Sequence, residues 1–253
     1  MSTKQPTIAV VGEVFEDRYI IGSVERINPE APVPILRVTA DPLSMGGGAG
    51  NVVATLHTLG CDPIPIYQQS YPPTKTRLMS QGQCLYRFDE GDSAWGWRMP
   101  PQLPTLDGLI ISDYGKGMFT QELLDVLALM PSSVPFFIDT KSHPGKYSFK
   151  DRTCVYFPNL REYHEYQTAY DSLARVVLKQ GPQGARLLEF GKSLYSSATT
   201  IAAPVNVSGA GDVVIAAFTY KYLERADLRQ CLNFAMLKAG EACACPYTGL
   251  QGV

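Results

Sequence analysis

Short apolar runs recur along the chain, and most of them stop at a glycine or a polar residue. Residues 8–11 end at Gly12, and Ile64–Tyr67 forms a second such run. Leu109-Ile110-Ile111-Ser112 ends in Asp113-Tyr114, Phe136-Phe137-Ile138 in Asp139-Thr140-Lys141, and residues 154–157 in Pro158-Asn159. Runs of this length without polar alternation predict buried strands. Between them lie segments of helical character: residues 51–59 closed by Gly60, residues 120–130, a stretch after Asn159, and residues 211–224 and 228–244 near the end. Residues 18–40 differ. Tyr19-Ile20-Ile21-Gly22 and Ile35-Leu36-Arg37-Val38 predict short strands joined by turns, with Pro29, Pro32 and Pro34 between them. Proline has no N–H for a central ladder, so this part reads as edge or flap structure. Gly46 to Gly50 predicts a turn into the first helix. Residues 76–79 and 84–88 predict a hairpin about Gln81-Gly82, and residues 175–179 and 186–190 a strand pair about a glycine-rich turn. Leu194-Tyr195 and Ile201 are further short strand candidates.

Strands alternating with helices predict a mainly parallel α/β sheet covered on both faces. In such a sheet, ligands bind beyond the carboxyl ends of the strands. Gly12-Glu13, Asp113, Asp139 and Asn159 fall there. No repeat, low-complexity tract or linker divides the 253 residues, so residues 1–253 read as a single domain.

Composition narrows the function. The formal net charge is −2 and charged residues make up 18%, so there is no basic excess to hold nucleic acid. Residues 1–7 are polar and the apolar run after them is too short for a signal segment or a membrane span, which predicts a cytoplasmic protein. Six scattered cysteines predict free thiols, and Cys243-x-Cys245 has neither the spacing nor a partner pair for a metal site.

The strongest chemistry lies in Ser208-Gly209-Ala210-Gly211-Asp212, directly before a helix. Small residues let a ligand approach the backbone. The unpaired N–H groups and the dipole of a helix start favour a phosphate. A carboxylate there can take the proton of an accepting hydroxyl during phosphoryl transfer. Taken alone, the run also fits a simple capping turn in which Asp212 complements the dipole.

The wider pattern favours the first reading. Residues 206–219, Asn-Val-Ser-Gly-Ala-Gly-Asp-Val-Val-Ile-Ala-Ala-Phe-Thr, resemble the C-terminal signature of the ribokinase-type (PfkB) carbohydrate kinases. Within that family, Gly12-Glu13-Val14-Phe15-Glu16-Asp17-Arg18-Tyr19 and Arg26-Ile27-Asn28-Pro29-Glu30-Ala31-Pro32-Val33-Pro34 are similar to the kinase domain of bacterial heptose 7-phosphate kinases. Ile111-Ser112-Asp113-Tyr114-Gly115-Lys116-Gly117, Ile138-Asp139-Thr140-Lys141 and Pro158-Asn159-Leu160-Arg161-Glu162 agree with it. The resemblance implies a ribokinase-like three-layer α/β/α fold with a small β lid from residues 14–42 and 74–90, and a homodimer formed through that lid. It implies ATP and Mg²⁺ as cofactors and a sugar or sugar phosphate as acceptor. Asp212 would be the base and Gly209, Ala210 and Gly211 the anion hole. Lys141, Asn159, Glu162, Lys179, Gly181 and Gly184 would serve the nucleotide, with Glu162 at the metal. Glu13, Asp17, Gly47, Gly48, Asn51, Arg77, Arg87, Asp113 and Lys116 would serve the acceptor.

The chain departs from the family pattern in three places. Glu13 stands where members usually carry Asp, and Lys179 where they usually carry Thr. Too few residues separate Tyr67 from Thr74 for a parallel crossover, which predicts the loss of one βα unit on the acceptor side. That loss keeps two other readings open: a catalytically silent sugar- or nucleotide-binding protein of the same fold, and a kinase for another small alcohol such as a nucleoside or fructose phosphate.

Overall fold

The structure, a computed structural model, describes residues 5–198 and 206–245. Its main sheet has eight strands in the order β13-β12-β11-β10-β9-β8-β1-β5. These are β1 (Ile8–Gly12), β5 (Ile64–Tyr67), β8 (Gly108–Asp113), β9 (Phe136–Thr140), β10 (Cys154–Tyr156), β11 (Val176–Lys179), β12 (Ala185–Glu189) and β13 (Lys192–Ser197). The strands from β5 to β11 run parallel, and β12 and β13 close one edge antiparallel. Ile201 lies outside the described residues.

Each central strand feeds two cores, because successive side chains of a strand point to opposite faces. Ile8 and Val10 of β1 pack with α1 (Ala49–Thr58), α5 (Ala210–Leu223) and α6 (Leu228–Cys243). Ala9 and Val11 pack on the other face with α2 (Gln121–Ala128), α3 (Leu160–Glu165) and α4 (Gln167–Asp171). Side-chain caps fix three of the helix starts. The Thr120 side chain accepts from Leu123 N, and capping boxes join Asn159 to Glu162 and Asp227 to Gln230. Leu123, Leu124 and Leu127 give α2 its buried face, each contributing about 2 kcal/mol by area removed from water.

The second sheet is the flap, and it is more regular than the sequence pattern predicts. Residues 18–40 do not form only short strands. One strand of 14 residues, β2 (Val14–Ile27), pairs in turn with β4 (Leu43–Gly48), β6 (Thr74–Ser80) and β3 (Pro34–Val38). Pro29 and Pro32 sit in the connection, and Pro34 opens β3 at the sheet's edge, where a missing N–H costs nothing. The glycines from Gly46 to Gly48 are strand rather than turn, laid against Phe15 and its neighbours in β2. A Cβ on Gly48, at φ 61°, would meet the Phe15 ring at 2.9 Å. β7 (Gln83–Glu90) completes the hairpin about Gln81 (φ 50°) and Gly82 (φ 77°), the left-handed pair that a two-residue hairpin requires.

Six residues join β5 to β6, and β5 remains the edge of the main sheet. Residues 91–107 fold beside that edge, with Gln69 N donating to Trp95 O and Gln68 bridging to Trp97. Among the described residues all six cysteines are free thiols, and no helix is long and apolar enough to cross a membrane.

Candidate active site

The carboxyl ends of β1, β8, β9, β10 and β11 converge at the N-terminus of α5, where a cavity of about 580 Å³ opens. Gly209, Ala210, Gly211 and Asp212 line it, together with Lys141, Asn159, Lys179, Gly181 and Gly184. Gly209 takes φ 77° at the N-cap of α5, a conformation that favours glycine. Beside it, a Cβ on Gly211 would come within 3.3 Å of Lys179 Nζ, so the bare backbone keeps the cradle open. Apolar and small residues complete the lining: Pro182, Val214, Met236, Ala239, Gly240 and Cys243.

Asp212 is buried and its carboxylate is held from two sides. Tyr114 OH donates to Oδ1 at 2.5 Å and Asn51 Nδ2 to Oδ2 at 3.1 Å. Asn51 also donates to Gly209 O, which ties α1 to the turn before α5. Burial pushes the Asp212 carboxyl up to about 6; the Tyr114 and Asn51 hydrogen bonds pull the other way, Asp139 adds to the rise and Lys179 opposes it.

The cationic corner is built from ion pairs. Lys179 pairs with Asp139, both side chains nearly buried, and Lys141 pairs with Glu162. Burial works against the Lys141 ammonium, but Asp139, Glu162 and Asp212 together hold it above its ordinary value. Asp139 Oδ1 is buried without a hydrogen-bond partner among the described residues. Both oxygens of Glu162 are engaged, by Asn159 N, Asn159 Nδ2 and Lys141 Nζ. Among the described residues no group of three or more His, Cys, Asp or Glu could hold a metal ion by itself. Two lysines and the amides at the start of α5 line the cavity, a donor set that fits a polyanion. A divalent ion would share phosphate oxygens and waters more than protein ligands.

The residues assigned to the acceptor side are placed differently, and none except Asn51 touches the base. Glu13 does not point into the cavity. It is fully buried, and its oxygens accept from Tyr114 N, Lys116 N and Met118 N at 2.8–3.1 Å. Asp113 accepts from Gly115 N, Thr140 Oγ1, Ser142 Oγ and Tyr147 OH, so it too shapes the loops. Lys116 pairs with Asp92 outside the cavity wall. Gly47 and Gly48 serve the packing of β4 on β2.

Asp17, Arg77 and Arg87 lie on one face of the flap. Arg77 donates to Asp17 at 2.5 Å and stands opposite Arg87, which pairs with Asp89. Lys75, which the sequence did not single out, shares that face and lies 3.8 Å from the centroid of the Phe15 ring. Burial lowers its pKa, as expected for an ammonium enclosed by aromatic rings and other cations. Tyr114 and Asp139 are the other two site residues that sequence reasoning left without a role. The signal for both was their place at strand ends.

Residues 159–251 match the model of the pfkB family carbohydrate kinase. Over almost its whole length the chain is similar to proteins named bifunctional protein HldE. It is 27% identical to that of Chromohalobacter salexigens, covering 99% of this chain and 62% of the relative, and 29% identical to that of Granulibacter bethesdensis, covering 95% and 62%. The chain thus spans about three fifths of the relatives' length. The first of these alignments extends over 298 positions against 253 residues here, so the relative carries segments that this chain lacks. Among solved structures, phosphofructokinase-2 from Escherichia coli in complex with fructose-6-phosphate superposes with a TM-score of 0.71 at 17% identity, covering 95% of this chain and 94% of that one. Arabidopsis thaliana ribokinase complexed with ribose and ATP superposes at 0.67 and 15%, covering 97% and 95%. The fold is ribokinase-like, a three-layer α/β/α architecture with a mainly parallel sheet, and the part of the chain that carries the cavity's glycine turn is similar to the pfkB family carbohydrate kinases.

Proposed function

We propose that the protein transfers the γ-phosphoryl group of ATP to a hydroxyl of a sugar phosphate, with a heptose 7-phosphate as the preferred acceptor. The observation that carries this reading is the placement of Asp212. A buried carboxylate, held near neutrality, lines the same cavity as the bare backbone of residues 209–211 and two lysines. Asp212 takes the acceptor proton. The amides at the start of α5 face the transferred group, and Lys179 and Lys141 offset its charge. ATP supplies the phosphoryl group and Mg²⁺ neutralises its oxygens; the apolar wall from Met236 to Cys243 suits the base of the nucleotide. Lys75, Arg77 and Arg87 on the flap offer three cations to the acceptor's own phosphate. The HldE relatives point to heptose within the carbohydrate kinases.

The flap acts as a lid over this site and as the contact between two copies of the chain. Tyr86 (63% exposed) and Phe88 (38%) form an apolar patch on its other face, and Leu85 is exposed on the same strand. A second flap would cover this patch and protect the open edges at β3 and β7. Sedimentation at micromolar concentration should give a dimer, and Tyr86→Glu with Phe88→Glu should give a monomer.

The chemical test is ADP release measured with a panel of heptose 7-phosphate, fructose 6-phosphate, ribose and a nucleoside. Heptose 7-phosphate should give the highest kcat/KM, and Asp212→Asn should cut kcat by more than about a hundredfold. Binding of nucleotide and sugar without ADP release from any acceptor would leave a silent binding protein instead.

A further inference from the structure

One oxygen of Asp212 already accepts a hydrogen bond from a residue of the cavity wall. Asn51 lies outside the cavity wall and holds Oδ2, whereas Tyr114 lies in the wall and holds Oδ1. A base can act only on a hydroxyl within hydrogen-bond distance. An accepting hydroxyl that reaches Oδ1 from the cavity would compete with the phenol for it. We propose that Tyr114 is a positioning residue for Asp212: in the free enzyme its hydroxyl holds the carboxylate in place of the acceptor, and it yields that place when the acceptor binds. This rests on the reading of Asp212 as the base.

The surroundings of Tyr114 suit such a role. Its backbone is fixed, because Tyr114 N donates to Glu13 Oε2 at 2.8 Å. Its ring is held by weaker contacts. Phe15 meets it edge-on at 4.8 Å, and the ammonium groups of Lys75 and Lys141 lie 5.6 and 5.4 Å from its centroid. Those partners come from the flap and from the end of β9, so closure of the flap on an acceptor would act directly on the ring. Gly115 (φ 70°) and Gly117 (φ 112°) follow it in the loop.

The hydrogen bond has an electrostatic consequence. A neutral phenol that donates to a carboxylate favours its charged form. The charged or titratable groups around Asp212 are Tyr114 from the loop after β8, Asp139 and Lys141 from the end of β9, and Lys179 from β11, with Asn51 of α1 the neutral donor. Burial, followed by the nearby Asp212 charge, holds the Tyr114 phenol well above its ordinary value, so it remains a donor throughout the working range. Tyr114 is thus one of the groups that keep a deeply buried base ionised.

The test uses the ligand-free full chain. With ¹³C-labelled aspartate carboxyls, the Asp212 signal is assigned by its absence in Asp212→Asn. Tyr114→Phe should raise its titration midpoint by about half a pH unit or more. The acid limb of ADP release should move the same way, with heptose 7-phosphate as acceptor. An unchanged midpoint would overturn the proposal, since a tyrosine that merely fills space leaves the carboxyl's titration where it was. If Tyr114→Phe does not fold, wild-type protein labelled with 3-fluorotyrosine serves instead. The Tyr114 resonance should follow the Asp212 midpoint near 6, and a flat response across about two units either side sinks the idea. Turnover by Asp212→Asn would refute the base assignment. Loss of turnover there, together with an unmoved midpoint in Tyr114→Phe, would refute the Tyr114 role alone.

Discussion

Asp113 separates two accounts of the acceptor side. The family resemblance makes it a sugar ligand, and the structure makes it the acceptor of four hydrogen bonds at 2% exposure. The donors are Gly115 N at 2.7 Å, Thr140 Oγ1 at 2.8 Å, Ser142 Oγ at 2.9 Å and Tyr147 OH at 2.6 Å. Asp113→Ala removes every acceptor. Gly115 is exposed and can turn to water, and Thr140 keeps its contact with Ser142 N. The fully buried Tyr147 hydroxyl has no such recourse. One orphaned donor, the weakened Thr140 and Ser142 contacts and the void left by the carboxyl together cost about 3 kcal/mol. For a chain of this length that is about 10 °C in melting temperature. Asp113→Asn keeps an acceptor for Gly115 N, and two of the three hydroxyls can rotate to accept from its two amide hydrogens, so the cost falls to about 1 kcal/mol. Thermal melts followed by circular dichroism, with acceptor KM measured on the same samples, decide between the accounts. If Asp113→Ala melts within about 0.5 kcal/mol of wild type while KM rises tenfold, the carboxylate binds sugar and the reasoning from its partners is wrong.

Two further outcomes follow from the charges in the cavity. Because Asp212 is raised from 3.8 to about 6, its folded form binds a proton more tightly than the unfolded chain. The stability this lends is complete below the unfolded value and is lost as pH rises through the folded one, at most about 3 kcal/mol for a shift of this size. Asp212→Asn should therefore gain on wild type in urea midpoint as pH rises from about 4 to 6, while wild-type turnover falls away below about pH 6. Lys179→Met should leave Asp139 as a buried carboxylate whose Oδ1 already lacks a partner, at a cost of about 3 kcal/mol, with weaker ADP binding by calorimetry. Lys179→Arg should keep most of both; equal melting of Lys179→Met and wild type would show that the pair contributes nothing.

The sequence by itself determined the parallel sheet, its flanking helices and the group of residues that meet at the start of α5. Those features are local: apolar runs that end in polar residues, capping boxes at Asn159 and Asp227, and a glycine turn before an apolar helix each report a short stretch of backbone. Strand ends in a parallel sheet meet by construction, so Lys141, Asn159 and Lys179 share one cavity, with Asp212 at the helix start that faces them. The acceptor half was not legible in that way. Whether Glu13 or Asp113 faces a ligand depends on which distant donors reach it first: amides at 114–118 for one, hydroxyls at 140–147 for the other. The continuity of β2 through residues 14–27 likewise comes from three partner strands far apart in sequence, which supply the hydrogen bonds that local propensity could not. Only the tertiary structure could bring Tyr114 onto Asp212, across 98 residues, because a hydrogen bond between a strand-end loop and a distant helix start has no periodicity to read.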